Sequence, residues 1–236
     1  MGLNRTKIEW ADYTRNPFKG KCKMECKDLK GKIYCYAIKQ YNRFKWNPEV
    51  RFVPTALNDI KSLKKPSKIF LCSTHEIFGW WIHKNWILLI LDFIEQFPQH
   101  TFIILTKKPE RAKLFSFPKN VWLGVTVTRR EECWRIDMLK RCDAKVKFVS
   151  FEPLYEEIDF KSDDKISDFS DFFLYGIDWI IIGSQTQPLK IPDKDWVEKL
   201  IEQARKHGIA VFLKDNLHWK ETVREFPNIY NSKCNT

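Results

Sequence analysis

The sequence predicts an α/β fold: a partial (β/α) barrel with a mainly parallel sheet, TIM-barrel-like in plan. Three observations predict it. Short continuous apolar runs recur at 68–73 (KIFLCS), 101–105 (TFIIL), 121–127 (VWLGVTV), 146–151 (VKFVSF), 179–183 (WIIIG) and 209–213 (IAVFL). Runs that are apolar without alternation are strands buried on both faces, as in parallel sheets. Most are separated by stretches with helical spacing, and right-handed βα crossovers curl such a sheet toward a barrel. Polar residues follow every run, at the strand ends where α/β folds build their sites.

Taken in order, 8–10 (IEW) is expected as the first strand, ahead of a polar loop. The segment 35–44 (CYAIKQYNRF) suits a helix. Pro48, Pro54 and Pro66 punctuate the next interval, with a helical segment between the last two. A helix is expected over 80–97, with Pro98 beyond its end. Its Trp80, Trp81 and Trp86 are read as core, with base stacking as the alternative. Thr106-Lys107-Lys108-Pro109 leads from a strand into a short helix, and 129–141 is a longer one. Over 193–207, Trp196, Val197, Leu200, Ile201 and Ala204 share one face, and Gly208 suits the C′ position. A short helix is expected over 217–226, within a tail of 215–236. The interval 155–175 carries Glu156, Glu157, Asp159, Asp163, Asp164, Asp168 and Asp171 and is expected as an acidic surface insertion. The whole of 1–236 is expected to be one domain.

Composition narrows the setting. The apolar fraction of 44% and ten tryptophans supply a core. The longest apolar run, 86–91, is far short of the ~20 residues that span a bilayer. No apolar signal region opens the sequence, so a soluble, cytoplasmic protein is expected. Residues 1–70 hold 17 Lys and Arg against 6 Asp and Glu, a net +11, which is also the net charge of the whole chain. Such a surface either attracts nucleic acid or another polyanion, or is a solvated lysine-rich face. Seven cysteines without an export signal make a disulfide framework unexpected. Cys72, Cys133 and Cys142 lie in strand and helix patterns as small core residues, and Cys234 lies in a polar tail.

The remaining three cysteines stand in the loop 19–37 (KGKCKMECKDLKGKIYCYA). Cys22, Cys26 and Cys35 are spaced x3 and then x8, among lysines 19, 21, 23, 27, 30 and 32 that favour thiolates. Zinc generally takes four ligands in two close pairs, whereas three cysteines hold three irons of a four-iron cluster and leave one iron open. A cluster, a zinc site and plain reduced thiols are the three readings; the count of three favours the cluster.

A first strand, a three-cysteine loop with Tyr34 before Cys35, a helix and then βα units resemble the radical S-adenosylmethionine superfamily. More closely, the chain resembles the uncharacterised three-cysteine-motif phage-type family. The matching segments are 8–17 (IEWADYTRNP), 35–37 (CYA), 70–78 (FLCSTHEIF), 105–111 (LTKKPER), 120–127 (NVWLGVTV), 146–154 (VKFVSFEPL), 178–183 (DWIIIG) and 211–214 (VFLK). The superfamily's spacing is x3 then x2, so the x8 gap departs from it. The resemblance implies a [4Fe-4S] cluster on Cys22, Cys26 and Cys35, S-adenosyl-L-methionine on the open iron, and a 5′-deoxyadenosyl radical that abstracts hydrogen. It places Tyr34 near the adenine and Ser73 and Thr74 near the methionyl group. Thr106, Lys107, Glu152 and Lys214 become cofactor or substrate contacts, and Thr126, Ser150 and Gln185 further cofactor contacts. An electron donor protein, a separate partner protein, and a nucleic acid or nucleotide substrate are the expected partners. His75 is read as a turn histidine rather than a general acid or base. The competing reading is a non-catalytic, metal-stabilised nucleic-acid-binding module.

Overall fold

Strands that are apolar on both faces must lie between two packed layers, and this governs the architecture. The computed structural model describes residues 5–158 and 173–228. In chain order its elements are β1 (Tyr13–Arg15), β2 (Phe18–Lys19), α1 (Tyr36–Phe44), β3 (Arg51–Phe52), a 3-10 helix (Pro54–Ser62), β4 (Lys68–Leu71), α2 (Lys84–Glu95) and β5 (Thr101–Thr106). There follow α3 (Pro109–Ala112), β6 (Val121–Thr126), α4 (Trp134–Lys140), β7 (Val146–Phe151), β8 (Trp179–Ile182), β9 (Gln185–Thr186), β10 (Leu189–Lys190), α5 (Lys194–Lys206) and β11 (Ala210–Leu213). Seven strands form one parallel sheet in the order β1-β4-β5-β6-β7-β8-β11, curled into a half-barrel. Two small antiparallel pairs, β2 with β3 and β9 with β10, stand apart from it.

Alternate side chains of each strand serve two cores. Ile69, Leu71, Phe102, Ile104, Leu123, Val125, Val149 and Phe151 pack with the helix residues Ile87, Ile90, Ile136, Leu139, Val197 and Leu200. The other set, Phe70, Ile103, Trp122, Phe148, Trp179, Ile181 and Phe212, fills the inside of the curl together with Trp10. Trp179 is its centre, with ring contacts to Trp10 (6.2 Å), Trp122 (5.7 Å), Phe148 (5.3 Å), Phe212 (6.1 Å) and Phe226 (5.4 Å). The strand ends opposite this aromatic floor form the mouth.

Two expected elements take other forms. Residues 8–10 are a turn, not the first strand, because Trp10 is drawn under the sheet against Phe70 at 4.6 Å. The edge strand is β1 instead, in register with β4 from Tyr13 opposite Ile69. Nor is 217–226 a helix. After a 3-10 turn at Asp215–Leu217, the chain runs beside β11: Leu213 N–H donates to Val223 O at 2.8 Å and Glu225 N–H to Val211 O at 3.0 Å. An open strand edge offers unpaired N–H and C=O groups, and here the tail takes up one of each.

Several boundaries shift for local reasons. α2 begins at Lys84 because His83 Nδ1 accepts from Asn85 N–H at 3.3 Å. Trp80 therefore precedes the helix and is 62% exposed, while Trp81 and Trp86 are half-buried. The expected helix over 129–141 splits into a 3-10 turn at Arg130–Glu132 and α4. β4 stops at Leu71 because Cys72 adopts a left-handed backbone with φ 61°. Cys72 and Cys142 are buried and Cys133 is half-buried. α5 is capped by Asp193 and ends before Gly208 at φ 64°, as the sequence indicates. Of the acidic interval, 159–172 lie outside the described residues, as do Cys234 and the rest of 229–236. Among the described residues no helix is long and apolar enough to cross a membrane.

Candidate functional site

The cysteine loop leaves β2 at the mouth and returns through α1. Its eight-residue gap closes on itself. Tyr34 N–H donates to Cys26 O at 3.0 Å, Lys27 bridges Ile33, and Asp28 N–H donates to Lys32 O at 2.9 Å. Gly31 provides the turn at φ 74°, a conformation that L side chains resist. Asp28 Oδ1 accepts from Lys30 N–H (3.0 Å) and Lys32 N–H (2.9 Å). The gap is thus a small hairpin, and its two ends, Cys26 and Cys35, are hydrogen-bonded neighbours.

The Cys26 thiol donates to Cys35. This bond, with the Ile38 and Ala37 N–H groups of α1, holds Cys35 down at about 6. An N-terminal helix turn favours a thiolate in this way. Cys26 is pushed up, first by the same bond and then by burial. Cys22 is buried, and burial pushes it up, while Met24 N–H donates to its sulfur at 3.4 Å. Among the described residues no three His, Cys, Asp or Glu side chains are gathered as ligands of one metal ion. A four-iron cluster takes its three cysteines on three separate irons. Three thiols, one already poised as thiolate, are a donor set that fits the cluster.

Behind the cysteines lies a buried polar group that the sequence signals only in part. Glu76 is fully enclosed and accepts from Thr106 Oγ1 (2.5 Å), Lys107 N–H (2.7 Å) and Phe78 N–H (3.1 Å). Burial raises its carboxyl, against these bonds. The Lys107 ammonium is also buried and donates to Thr126 Oγ1 at 3.3 Å. Burial alone would lower it, but Cys26, Tyr34 and Glu76 outweigh that and hold it raised. Tyr34 is pushed up to about 12 by burial. Thr106, Lys107, Thr126 and Tyr34 therefore gather on the cysteine side of the mouth.

Ser73 and Thr74 are set by the turn at Cys72 and by Asn16. Asn16 Oδ1 accepts from Thr74 N–H (3.0 Å) and Thr74 Oγ1 (2.9 Å), and its Nδ2 donates to Ser73 Oγ at 3.1 Å. Ser73 also bonds the Tyr36 phenol, next to Cys35. His75 is buried, burial lowers it to about 4, and neither ring nitrogen has a partner among the described residues. It is a neutral packed ring, not a titrating one.

On the opposite side, Glu152 pairs with Lys214 beside Gly183. Gln185 Oε1 accepts from the Tyr155 hydroxyl at 2.5 Å, and its Nε2 donates to Pro188 O at 2.8 Å. Ser150 is buried in β7, and its carbonyl accepts from Val127 N–H at 3.0 Å. Tyr155 joins the two sides: its ring meets Tyr34 edge-on at 5.8 Å. The hairpin closes the same gap, since Arg129 Nη2 donates to Lys27 O (2.8 Å) and Lys190 Nζ to Asp28 Oδ2 (2.9 Å).

The sequence alone assigns no role to Asn16, Glu76, Tyr155 or the anchoring pair Asp28–Lys190. Asn16 and Glu76 had a positional signal, each following a strand near Ser73 and Thr74. The other three had none.

The profile described as Protein of unknown function (DUF5131) matches residues 5–231. The chain belongs to this family. No curated protein matches the sequence. Among solved structures, a spore photoproduct lyase complexed with dinucleoside spore photoproduct is similar at TM-score 0.55 and 10% identity, over 90% of this chain and 79% of that one. A tyrosine-to-phenylalanine mutant of spore photoproduct lyase gives TM-score 0.57 at 10% identity, over 89% and 78%. A double mutant with bound AdoMet and dinucleoside spore photoproduct gives 0.52 at 12%, over 87% of this chain and 64% of that one. At such identities the likeness is one of fold, and it agrees with the half-barrel described above.

Proposed function

We propose that this chain is a radical S-adenosylmethionine enzyme acting on a nucleotide or nucleic acid, with 1–236 as one catalytic domain. The narrower kinship, with the phage-type three-cysteine family, belongs to the same proposal. The observation that carries it is the hairpin of 27–34, which makes neighbours of Cys26 and Cys35 despite their x8 spacing. Cys22, Cys26 and Cys35 would hold a [4Fe-4S] cluster with one iron left for S-adenosyl-L-methionine. When bound, this pair supplies hydrogen-atom abstraction by a radical derived from the cofactor.

The chain's own residues bind and orient. The α1 amides and the buried Lys107 ammonium favour anionic sulfur and would also receive a cofactor carboxylate. Asn16 fixes the Ser73 and Thr74 hydroxyls toward the same side. Glu152 and Lys214 offer a carboxylate and an ammonium to polar groups across the mouth. Tyr34 and Tyr155 present rings between the two sides, and Thr126, Ser150 and Gln185 are further proposed cofactor contacts. The net +11 of residues 1–70, and the dinucleoside and AdoMet bound to the similar lyases, support the substrate class and the cofactor. An electron donor protein is part of this reading.

The test is anaerobic purification and reconstitution with iron and sulfide, beside a Cys22/Cys26/Cys35→Ala triple variant. About four irons and four sulfides per chain, lost in the variant, are expected. Reductant and S-adenosyl-L-methionine should then yield 5′-deoxyadenosine. One zinc without sulfide would overturn the reading in favour of a binding module.

A further inference from the structure

One surface beside the cysteine loop combines uncovered rings with unpaired cations. α1 ends at Phe44, Lys45 turns left-handed at φ 49°, and Trp46 N–H donates back to Tyr41 O at 3.3 Å. The turn folds Trp46 onto the helix end. Phe44 and Trp46 stack, 5.2 Å between centroids and 19° between planes, and Tyr41 meets Trp46 edge-on at 5.2 Å. Phe44 is 52% exposed and Trp46 49%. The Arg43 guanidinium lies 5.3 Å from the Phe44 centroid.

The surrounding charge is mainly positive. Between 36 and 53 the cations are Lys39, Arg43, Lys45 and Arg51, against Glu49 alone. Lys19 lies opposite Arg51 in the β2–β3 register, and both are exposed. Among the described residues none of Lys19, Lys23, Arg43, Lys45 or Arg51 forms an ion pair. At the other end of the chain, Lys194, Lys199, Arg205 and Arg224 each have a carboxylate partner. Those four are neutralised in pairs, whereas the five cations here are not.

This surface is also fixed to the cysteine loop. The Tyr41 hydroxyl accepts from Gly20 N–H at 2.9 Å, and Lys21 N–H donates to Pro48 O at 2.9 Å. A cleft of about 310 Å³ opens between them, lined by Cys22, Lys23, Ile38 and Pro48 among others.

We infer that this surface binds a single strand of nucleic acid. A base stacks on the Phe44–Trp46 pair, and phosphates lie along Lys19, Lys23, Lys45 and Arg51. Ring stacking accepts any base and needs an unstacked one, so a single strand fits and a duplex does not. The inference deepens the function proposed above by naming the form of the substrate, and rests on that reading only for what the strand is bound for.

The experiment is an anisotropy titration of the full chain with labelled single-stranded DNA and RNA of about 12 nucleotides, within the span one binding fold covers, beside the matching duplex. The single strands should bind in preference to the duplex. Trp46→Ala should weaken binding about tenfold or more, and Trp46→Phe should restore most of it. Lys45→Gln should lower the salt slope by about one. No binding, preference for the duplex, or equal affinity of Trp46→Ala and the parent chain would overturn the inference. Formation of 5′-deoxyadenosine without oligonucleotide, measured in parallel, separates the two proposals. Its absence beside intact strand binding sinks the enzyme and leaves the surface; its presence without strand binding does the reverse.

Discussion

The Cys26 thiol donates a hydrogen bond to Cys35, although eight residues lie between them. The spacer leaves the line of the chain as a hairpin and returns to its starting point. Sequence distance and spatial distance are thereby uncoupled, and the x8 gap acts in space as a short one.

That bond makes the three cysteines unequal in the metal-free protein. A free thiol titrates near ~8.5, and Cys35 is held down at about 6. Its stabilising contribution is present above ~8.5 and fades as pH falls through about 6. Iodoacetamide should therefore alkylate Cys35 with a half-maximal rate near pH 6. Cys22 and Cys26 should react only above the ordinary thiol range. Mass-spectrometric rate profiles that put all three together near ~8.5 would refute the arrangement.

The hairpin is anchored by Asp28, whose carboxyl is held at about 2, first by Lys190 and then by the Lys32 and Lys30 amides. A depressed carboxyl stabilises above its unfolded value of ~3.9 and loses that effect as pH falls toward 2. Asp28→Asn keeps an oxygen for the amides and removes the charge; Asp28→Ala removes both. Amide hydrogen exchange across 27–34 should be faster in the Asn variant and faster again in the Ala variant. The parent should approach the Asn variant below ~pH 3. Identical exchange in all three chains would show the anchor to be idle.

The Lys107 ammonium favours the ionised form of the buried Glu76 from beyond ion-pair distance, while Glu76 Oε2 accepts from the Lys107 N–H. Lys107→Met removes a cation that favours the ionised Glu76. Glu76 is already raised by burial and will rise further. A raised carboxyl opposes folding increasingly as pH climbs past its unfolded value of ~4.3. Urea midpoints of Lys107→Met should thus fall between pH 5 and pH 7 more steeply than those of the parent. A pH-independent difference would place the ammonium away from Glu76.

Much of the half-barrel was legible because burial on both faces leaves a sequence mark. The runs at 101–106, 121–126 and 146–151 are apolar whichever way a side chain points. β1 carries no such mark: Tyr13, Thr14 and Arg15 are half-buried at an edge, and only their pairing with β4 makes them a strand. The same holds for 223–225, which is held to β11 through backbone amides that any side chain supplies. At the site, strand-end position marked Thr106, Lys107, Glu152 and Lys214. Tyr155 and Asp28 act across the fold, on residues 30 and 162 positions away, so no local pattern could point to them.

The aromatic floor is assembled from both extremes of the described chain. Trp10 and Phe226 meet the same Trp179 ring, while Glu9 accepts from Arg224 at 3.3 Å and from Asp215 N–H at 2.9 Å. This pit is sealed only when two segments more than two hundred positions apart close on the same ring. One ring thus ties together residues 10 and 226, and the sheet's inner core depends on both.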